Sequence, residues 1–258
     1  MNDFFTQEQS LAIARALKSR RRKLPQRGGR GKRGLPLGAV LVRFDPRLIG
    51  PFTALIAGPT GCGKSFLIFK ILRNLNKFIY PPIDGTITYC YGQYQKSFEE
   101  FKDKVVFNEG LLSREELLGT NVRDTQKHHL LIIDDILDKS DAPLIRDIFI
   151  KGSHHQNMSV FFMTQNVFLK NPDYRTTSLN CHYMLIFKNP RDMSQFSSVA
   201  RQVFPTKSKS LTAVYNNALE KKHSYLVLDF KQSTPDKLRI RGPITDKVIR
   251  VFVVKDKK

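Results

Sequence analysis

Eight residues in this chain carry the most specific chemistry. Gly58-Pro59-Thr60-Gly61-Cys62-Gly63-Lys64-Ser65 satisfies GxxxxGK[ST] at every fixed position. Glycines in such a loop let backbone N–H groups turn inward around phosphate oxygens. The helix that follows adds the positive end of its dipole. Lys64 is the candidate for the β and γ phosphates and Ser65 for a Mg²⁺ ion. The candidate nucleotide-binding residues are therefore Gly58, Pro59, Thr60, Gly61, Cys62, Gly63, Lys64, Ser65 and Phe66. Cys62 fills a variable position and reads as a small filler rather than a nucleophile.

A second constellation closes the apolar run at 130–133, where Asp134 and Asp135 stand side by side. Two carboxylates there raise each other's pKa, which is expensive at the end of a buried strand unless they do work. Asp134 is assigned to Mg²⁺ and Asp135 to activating a water as general base. The competing role is an acidic helix cap. Thr164, Gln165 and Asn166 end another apolar run. Gln165 is a candidate to contact the γ-phosphate or the water, with a helix cap as the alternative. A guanine reader of NKxD type is disfavoured, because Asn76-Lys77-Phe78-Ile79 lacks the final Asp.

Elements able to position these residues alternate along the chain. Apolar runs at 53–58, 86–92, 104–110, 130–137, 160–166, 182–188, 224–230 and 248–254 read as strands. Helical patterns follow at 63–76, 95–103, 140–152, 191–203 and 210–221, and Ser113 with Glu116 has capping-box spacing. Alternation of this kind predicts an α/β fold with a mostly parallel sheet covered on both faces. A short helix is expected over 5–17. The expected organisation is a basic N-terminal arm over 1–36 and one domain over 37–258, with 206–258 as a helix-and-strand extension.

Charge and composition limit the function. Of 258 residues, 43 are Lys or Arg and 23 are Asp or Glu, a formal net charge of +20. Nine basic residues between Lys18 and Arg33, with no acidic one, carry nearly half of that excess. The remainder is basic too, so the field favours polyanions, nucleic acid first. No sequence-reading module is evident, so binding to DNA is expected to be sequence-independent. No run approaches the ~20 apolar residues of a membrane span. The first ten residues have no secretory pattern. Three scattered cysteines offer neither a disulfide framework nor metal spacing, and His128 and His129 lack metal-motif partners.

Several blocks together resemble a known family. ITYCYGQYQ (87–95), VVFNEGL (105–111), LLIIDDIL (130–137), GSHHQNMSVFFMTQN (152–166), RTTSLNCHYMLIFKNPRD (175–192) and ARQVFP (200–205) follow GPTGCGKS in order. The sequence is similar to the genome-packaging ATPases of the FtsK/HerA superfamily, in the poxvirus and Polinton/adintovirus-like branch. The resemblance implies a RecA-like P-loop NTPase of ASCE type, with strand order 5-1-4-3-2, ATP and Mg²⁺ as cofactors, and a homo-oligomeric ring. It further implies packaging of viral double-stranded DNA, with capsid proteins as further partners, inside the host nucleus or a cytoplasmic virus factory or on the virion. An arginine supplied by the neighbouring subunit completes such sites. Here the usual position carries His154 and His155; Arg146, Lys151, Arg175 and Arg191 remain, with Arg175 favoured. Asn180 is assigned either to the phosphate end or to backbone. The catalytic candidates are thus Lys64, Asp135, Gln165 and Arg175. A viral helicase or another nucleic-acid-stimulated ATPase is the alternative; a DNA-binding module with a degenerate loop is the non-enzymatic one.

Overall fold

The computed structural model describes residues 39–40, 45–119, 124–168 and 171–254. The expected helix over 5–17 and the arm over 1–36 lie outside the described residues.

The strands are β1 (Ala39–Val40), β2 (Leu48–Ile49), β3 (Thr53–Ala57), β4 (Ile79–Tyr80), β5 (Ile87–Tyr91), β6 (Val106–Glu109), β7 (His129–Asp134), β8 (Met158–Thr164), β9 (Tyr183–Phe187), β10 (Tyr225–Asp229), β11 (Ile240–Arg241) and β12 (Val251–Phe252). Ten of them form one sheet in the order β1-β12-β11-β10-β9-β3-β8-β7-β5-β6; β2 and β4 pair separately. The stretch from β9 to β6 is parallel, and β10, β11, β12 and β1 continue it antiparallel. Within the parallel part, β9-β3-β8-β7-β5 is the 5-1-4-3-2 order of a RecA-like P-loop fold, with β6 added outside β5.

Side-chain alternation along each strand builds two cores. Leu55, Leu131, Ile133, Val160, Phe162, Met184 and Ile186 face one side. Ala54, Ile56, Leu130, Ile132, Phe161, Met163 and Leu185 face the other. Helix α1 (Lys64–Arg73), with Leu67, Ile68 and Ile71 buried, covers the second side. Helix α2 (Leu75–Phe78) follows α1. On the first side lie α3 (Arg114–Leu118), α4 (Ala142–Asp147), α5 (Pro172–Leu179), α6 (Ser194–Val203) and α7 (Ser208–Ala218). All six residues of β7 and all seven of β8 are buried. Continuous apolar runs are the expected signature of strands covered on both faces.

Several details differ from the sequence reading. β7 stops at Asp134 because Asp135 adopts φ 55 and leaves the sheet. The helix expected over 140–152 is α4 followed by a π turn at Ile148–Gly152 and a short turn at Ser153–His155. Residues 95–103 form a 3₁₀ segment, Lys96–Phe101. α5 was not foreseen: PDYRTTSL carries little apolar periodicity, and it starts because Pro172 fits the first turn and Asn171 Oδ1 accepts from Asp173 N at 2.7 Å. The Ser113–Glu116 capping box forms as expected.

Parallel strands end at one edge of the sheet. Ala57 lies opposite Thr164, and Asp134 opposite Met163. The chain leaves β3 toward β8 on one flank and has β9 on the other. That is the topological switch point where open α/β sheets bind ligands.

Candidate active site

The loop after β3 is built on glycine geometry. Gly61 has φ 76 and Gly63 φ 113, left-handed conformations that side-chain-bearing residues rarely adopt. Gly58 is required for a different reason: a Cβ there would lie 2.6 Å from Phe187 Cβ and 2.8 Å from Cys62 Sγ. Gly58 N donates to Thr164 O at 3.2 Å, which ties the loop to the end of β8. Lys64 is nearly buried, and its Nζ donates to Gly58 O at 2.7 Å across the loop. No side chain caps α1, so the first amides of the helix are aimed into the loop.

The carboxylates stand two strands away. Asp134 is 8% exposed, and its Oδ2 accepts from the Tyr89 hydroxyl at 2.7 Å. Burial pushes the Asp134 carboxyl above its ordinary range; the Tyr89 bond and the charge of Lys64 oppose that, and Asp135 adds to it. Asp135 is exposed, held by its own N–H to Met163 O at 3.1 Å, and its Oδ2 accepts from Gln165 Nε2 at 2.9 Å. Gln165 is therefore a partner of the carboxylate in this geometry and not a helix cap. Lys64, Asp134, Asp135 and Gln165 all stand at one edge of the sheet, as the sequence pattern expects.

The donor set fits magnesium and a triphosphate. Ser65 supplies an alcohol and Asp134 a carboxylate, the hard oxygen ligands such an ion takes. The loop apex opens outward, since a Cβ built on Gly61 meets nothing within 4 Å.

Not every candidate joins this group. Arg175 is exposed on α5, on the sheet face opposite α1. Arg146 is engaged, bonding Asp147 at 2.8 Å and Asp173 at 2.6 Å. Lys151 and Arg191 are exposed. Asn180 sits at the other end of β3, where its carbonyl accepts from Thr53 Oγ1 at 3.1 Å and its Nδ2 donates to Thr176 O at 2.8 Å; the backbone role is the one observed.

Three groups escaped the sequence reading. Tyr89 packs its ring on Phe98, and its hydroxyl orients Asp134, which only the register of β5 against β7 reveals. Gln195, in the first turn of α6, donates to Asn166 Oδ1 and Asp192 Oδ2, both at 2.8 Å, and accepts from Val167 N at 2.8 Å. With Gly58, Gln165, Asn189, Asp192 and Tyr215 it lines a cleft beside the loop. His223, from the turn before β10, lies against the loop, its Nδ1 3.0 Å from Cys62 O.

Fold and loop together define an α/β P-loop NTPase fold of RecA-like type. No protein-family model matches the chain, and no curated protein matches it. Solved structures resemble it at low identity. The genome packaging NTPase B204 from Sulfolobus turreted icosahedral virus 2, in complex with ATP-gammaS, aligns over 81% of this chain and 98% of its own at 14% identity, TM-score 0.47. The cytoplasmic domain of the Thermomonospora curvata Type VII secretion ATPase EccC aligns over 78% of this chain and 25% of its own at 14% identity, TM-score 0.47. The N-terminal domain of zonular occludens toxin from Neisseria meningitidis aligns over 79% and 94% at 11% identity, TM-score 0.36. No helix among the described residues is long and apolar enough to cross a membrane.

Proposed function

We propose that this chain hydrolyses ATP and couples hydrolysis to sequence-independent movement of double-stranded DNA, as the motor that packages a viral genome. The observation that carries the reading is the hydrogen bond from Gln165 to Asp135 at the strand edge that also bears the glycine loop and Asp134. A loop that only bound phosphate would not need a second, exposed carboxylate held in a left-handed backbone conformation beside it.

Mg²⁺ bound with the triphosphate would supply charge neutralisation. Ser65 and Asp134 would hold it. Loop amides from Gly61 to Ser65 bind phosphate oxygens, and Lys64 exchanges the Gly58 carbonyl for them. Asp135 takes the proton of the attacking water, and Gln165 fixes the carboxylate that does so. Charge developing on the transferred group calls for a further cation. Arg175, exposed on α5, is our assignment for that cation, supplied to a neighbouring subunit in a ring. The formal charge of +20 supports a polyanionic track, and the blocks from GPTGCGKS to ARQVFP support packaging. The arm over 1–36, the extension over 206–258, capsid proteins as partners and a site of action inside the host cell or on the virion belong to the same reading.

The test is steady-state hydrolysis by the full chain with and without duplex DNA, beside Lys64→Ala. We expect duplex to stimulate hydrolysis without separating a forked substrate. Lys64→Ala should lower kcat/KM about 10³-fold, of the size seen when one transition-state donor is removed. Unwinding of the fork would assign the helicase instead. No MgATP binding by folded wild-type chain in calorimetry would end the reading.

A further inference from the structure

The strand order sets which way a nucleotide lies in the loop. Asp134 and Asp135 stand on the β8–β7 flank of β3, so the γ end of a triphosphate lies there. The remainder must leave on the other flank, toward β9 and β10. There the turn between α7 and β10 brings His223 to the loop.

His223 is placed with care. It has φ 57, which an L residue seldom adopts. A Cβ built on Gly63 would lie 3.2 Å from His223 Cβ, so the imidazole lies directly against the loop. Its Nδ1 faces the Cys62 carbonyl at 3.0 Å, and a carbonyl only accepts, so Nδ1 carries the hydrogen. The other ring nitrogen, Nε2, is then left as an acceptor on an exposed side chain.

Phe66 completes the arrangement. It lies on α1 one turn after Gly63 and one turn before Lys70, so the three share a stripe of the helix. Both ends of that stripe are held by the C-terminal part of the chain: His223 covers Gly63, and Lys70 Nζ donates to Thr245 O at 3.2 Å. Between them Phe66 is 63% exposed. A helical side chain leans over the turn that precedes it, and for Phe66 that is the turn of Gly63, which His223 covers.

We propose that Phe66 and His223 form the nucleoside subsite: the Phe66 ring stacks on the base, and His223 Nε2 accepts a hydrogen bond from a sugar hydroxyl or an exocyclic amine. This rests on the reading that residues 58–65 hold a triphosphate. Stacking uses the face that every base has, so the subsite separates nucleoside triphosphates from bare polyphosphate and not one base from another.

Calorimetry on the full chain with Mg²⁺, comparing ATP with inorganic tripolyphosphate, tests it. Wild type should bind ATP more tightly. Phe66→Ala should weaken ATP about tenfold, and His223→Asn, which tolerates the left-handed backbone, about threefold. Both variants should leave tripolyphosphate affinity unchanged, and Phe66→Tyr should restore ATP binding. Unchanged ATP affinity in Phe66→Ala, or equal loss of both ligands, overturns the proposal. So does a loss of subunit association with ATP affinity intact, which makes Phe66 an interface residue. Failure of wild type to bind either ligand overturns the loop reading itself.

Discussion

The two ends of the central strands treat their polar groups in opposite ways. At the N-terminal ends, three histidines among the described residues are tied into the surrounding backbone. His128 lies within 3.0 Å of Pro81 O through Nδ1 and within 2.7 Å of Ser159 Oγ through Nε2. His129 accepts from Thr86 N at 2.9 Å and meets Asp124 O at 2.9 Å. His182 Nδ1 accepts from Thr53 N at 2.9 Å. At the C-terminal ends, the carboxylates keep most of their capacity. Asp134 and Asp135 each accept one side-chain hydrogen bond among the described residues, from Tyr89 and Gln165 respectively. Saturated polar groups lock strands together; under-coordinated charges cost stability and remain open to a ligand. Residue type alone would have ranked the histidines as the chemistry.

Exchanging a residue at each end should separate the two behaviours. The largest effect is expected at Asp134. Asp134→Asn should cut turnover at least 10³-fold while making the fold more stable, by on the order of 1 kcal/mol, because it removes a charge that burial disfavours. The sign with pH follows from the raised native value. An acid bound more tightly to its proton in the folded state loses stability as pH rises through the interval between its unfolded and folded values. The variant's advantage in denaturant titrations is therefore present at neutral pH and fades as pH falls toward the ordinary aspartate range. A destabilised Asp134→Asn would place this residue with the saturated end.

At the other end, His128→Ala should leave kcat of the folded enzyme intact and cost about 3 kcal/mol in the same titrations. It strands Ser159 and the Pro81 carbonyl and leaves a cavity. Burial holds the His128 imidazole below its ordinary value. The unfolded chain then binds the extra proton first, so wild-type stability falls as pH drops below that value. His128→Ala should lose that acid sensitivity. A kcat loss without a stability loss would undo the contrast.

How much of this was legible follows from the distance over which each contact acts. Local pattern sufficed for the glycine loop, for β7 ending in aspartate and for the Ser113–Glu116 box, because each is written within eight residues. The strand order needed a resemblance, since apolar periodicity says nothing of neighbours. β1 and β11 have two residues each, too few for alternation to show, and of the run expected over 248–254 only Val251–Phe252 pairs as β12. Tyr89 reaches Asp134 only through strand register, and His223 meets Cys62 across 161 positions of chain. Such partners have no sequence signature.

The smallest effect tests a residue that could belong to either class. Gln195 is as saturated as the histidines, with bonds to Asn166, Asp192 and Val167. Yet the segment it clamps begins one residue after Gln165, whose amide holds Asp135. We expect Gln195→Leu to lower kcat about fivefold with KM for ATP changed less than twofold. Its stability cost should be about 1 kcal/mol, that of a partly exposed polar network. The effect on kcat should vanish in a Gln165→Ala background, because a positioning residue acts only through the group it positions. Additive losses in the double variant would mean that Gln195 acts independently of Gln165. A stability loss with kcat intact would put it beside His128.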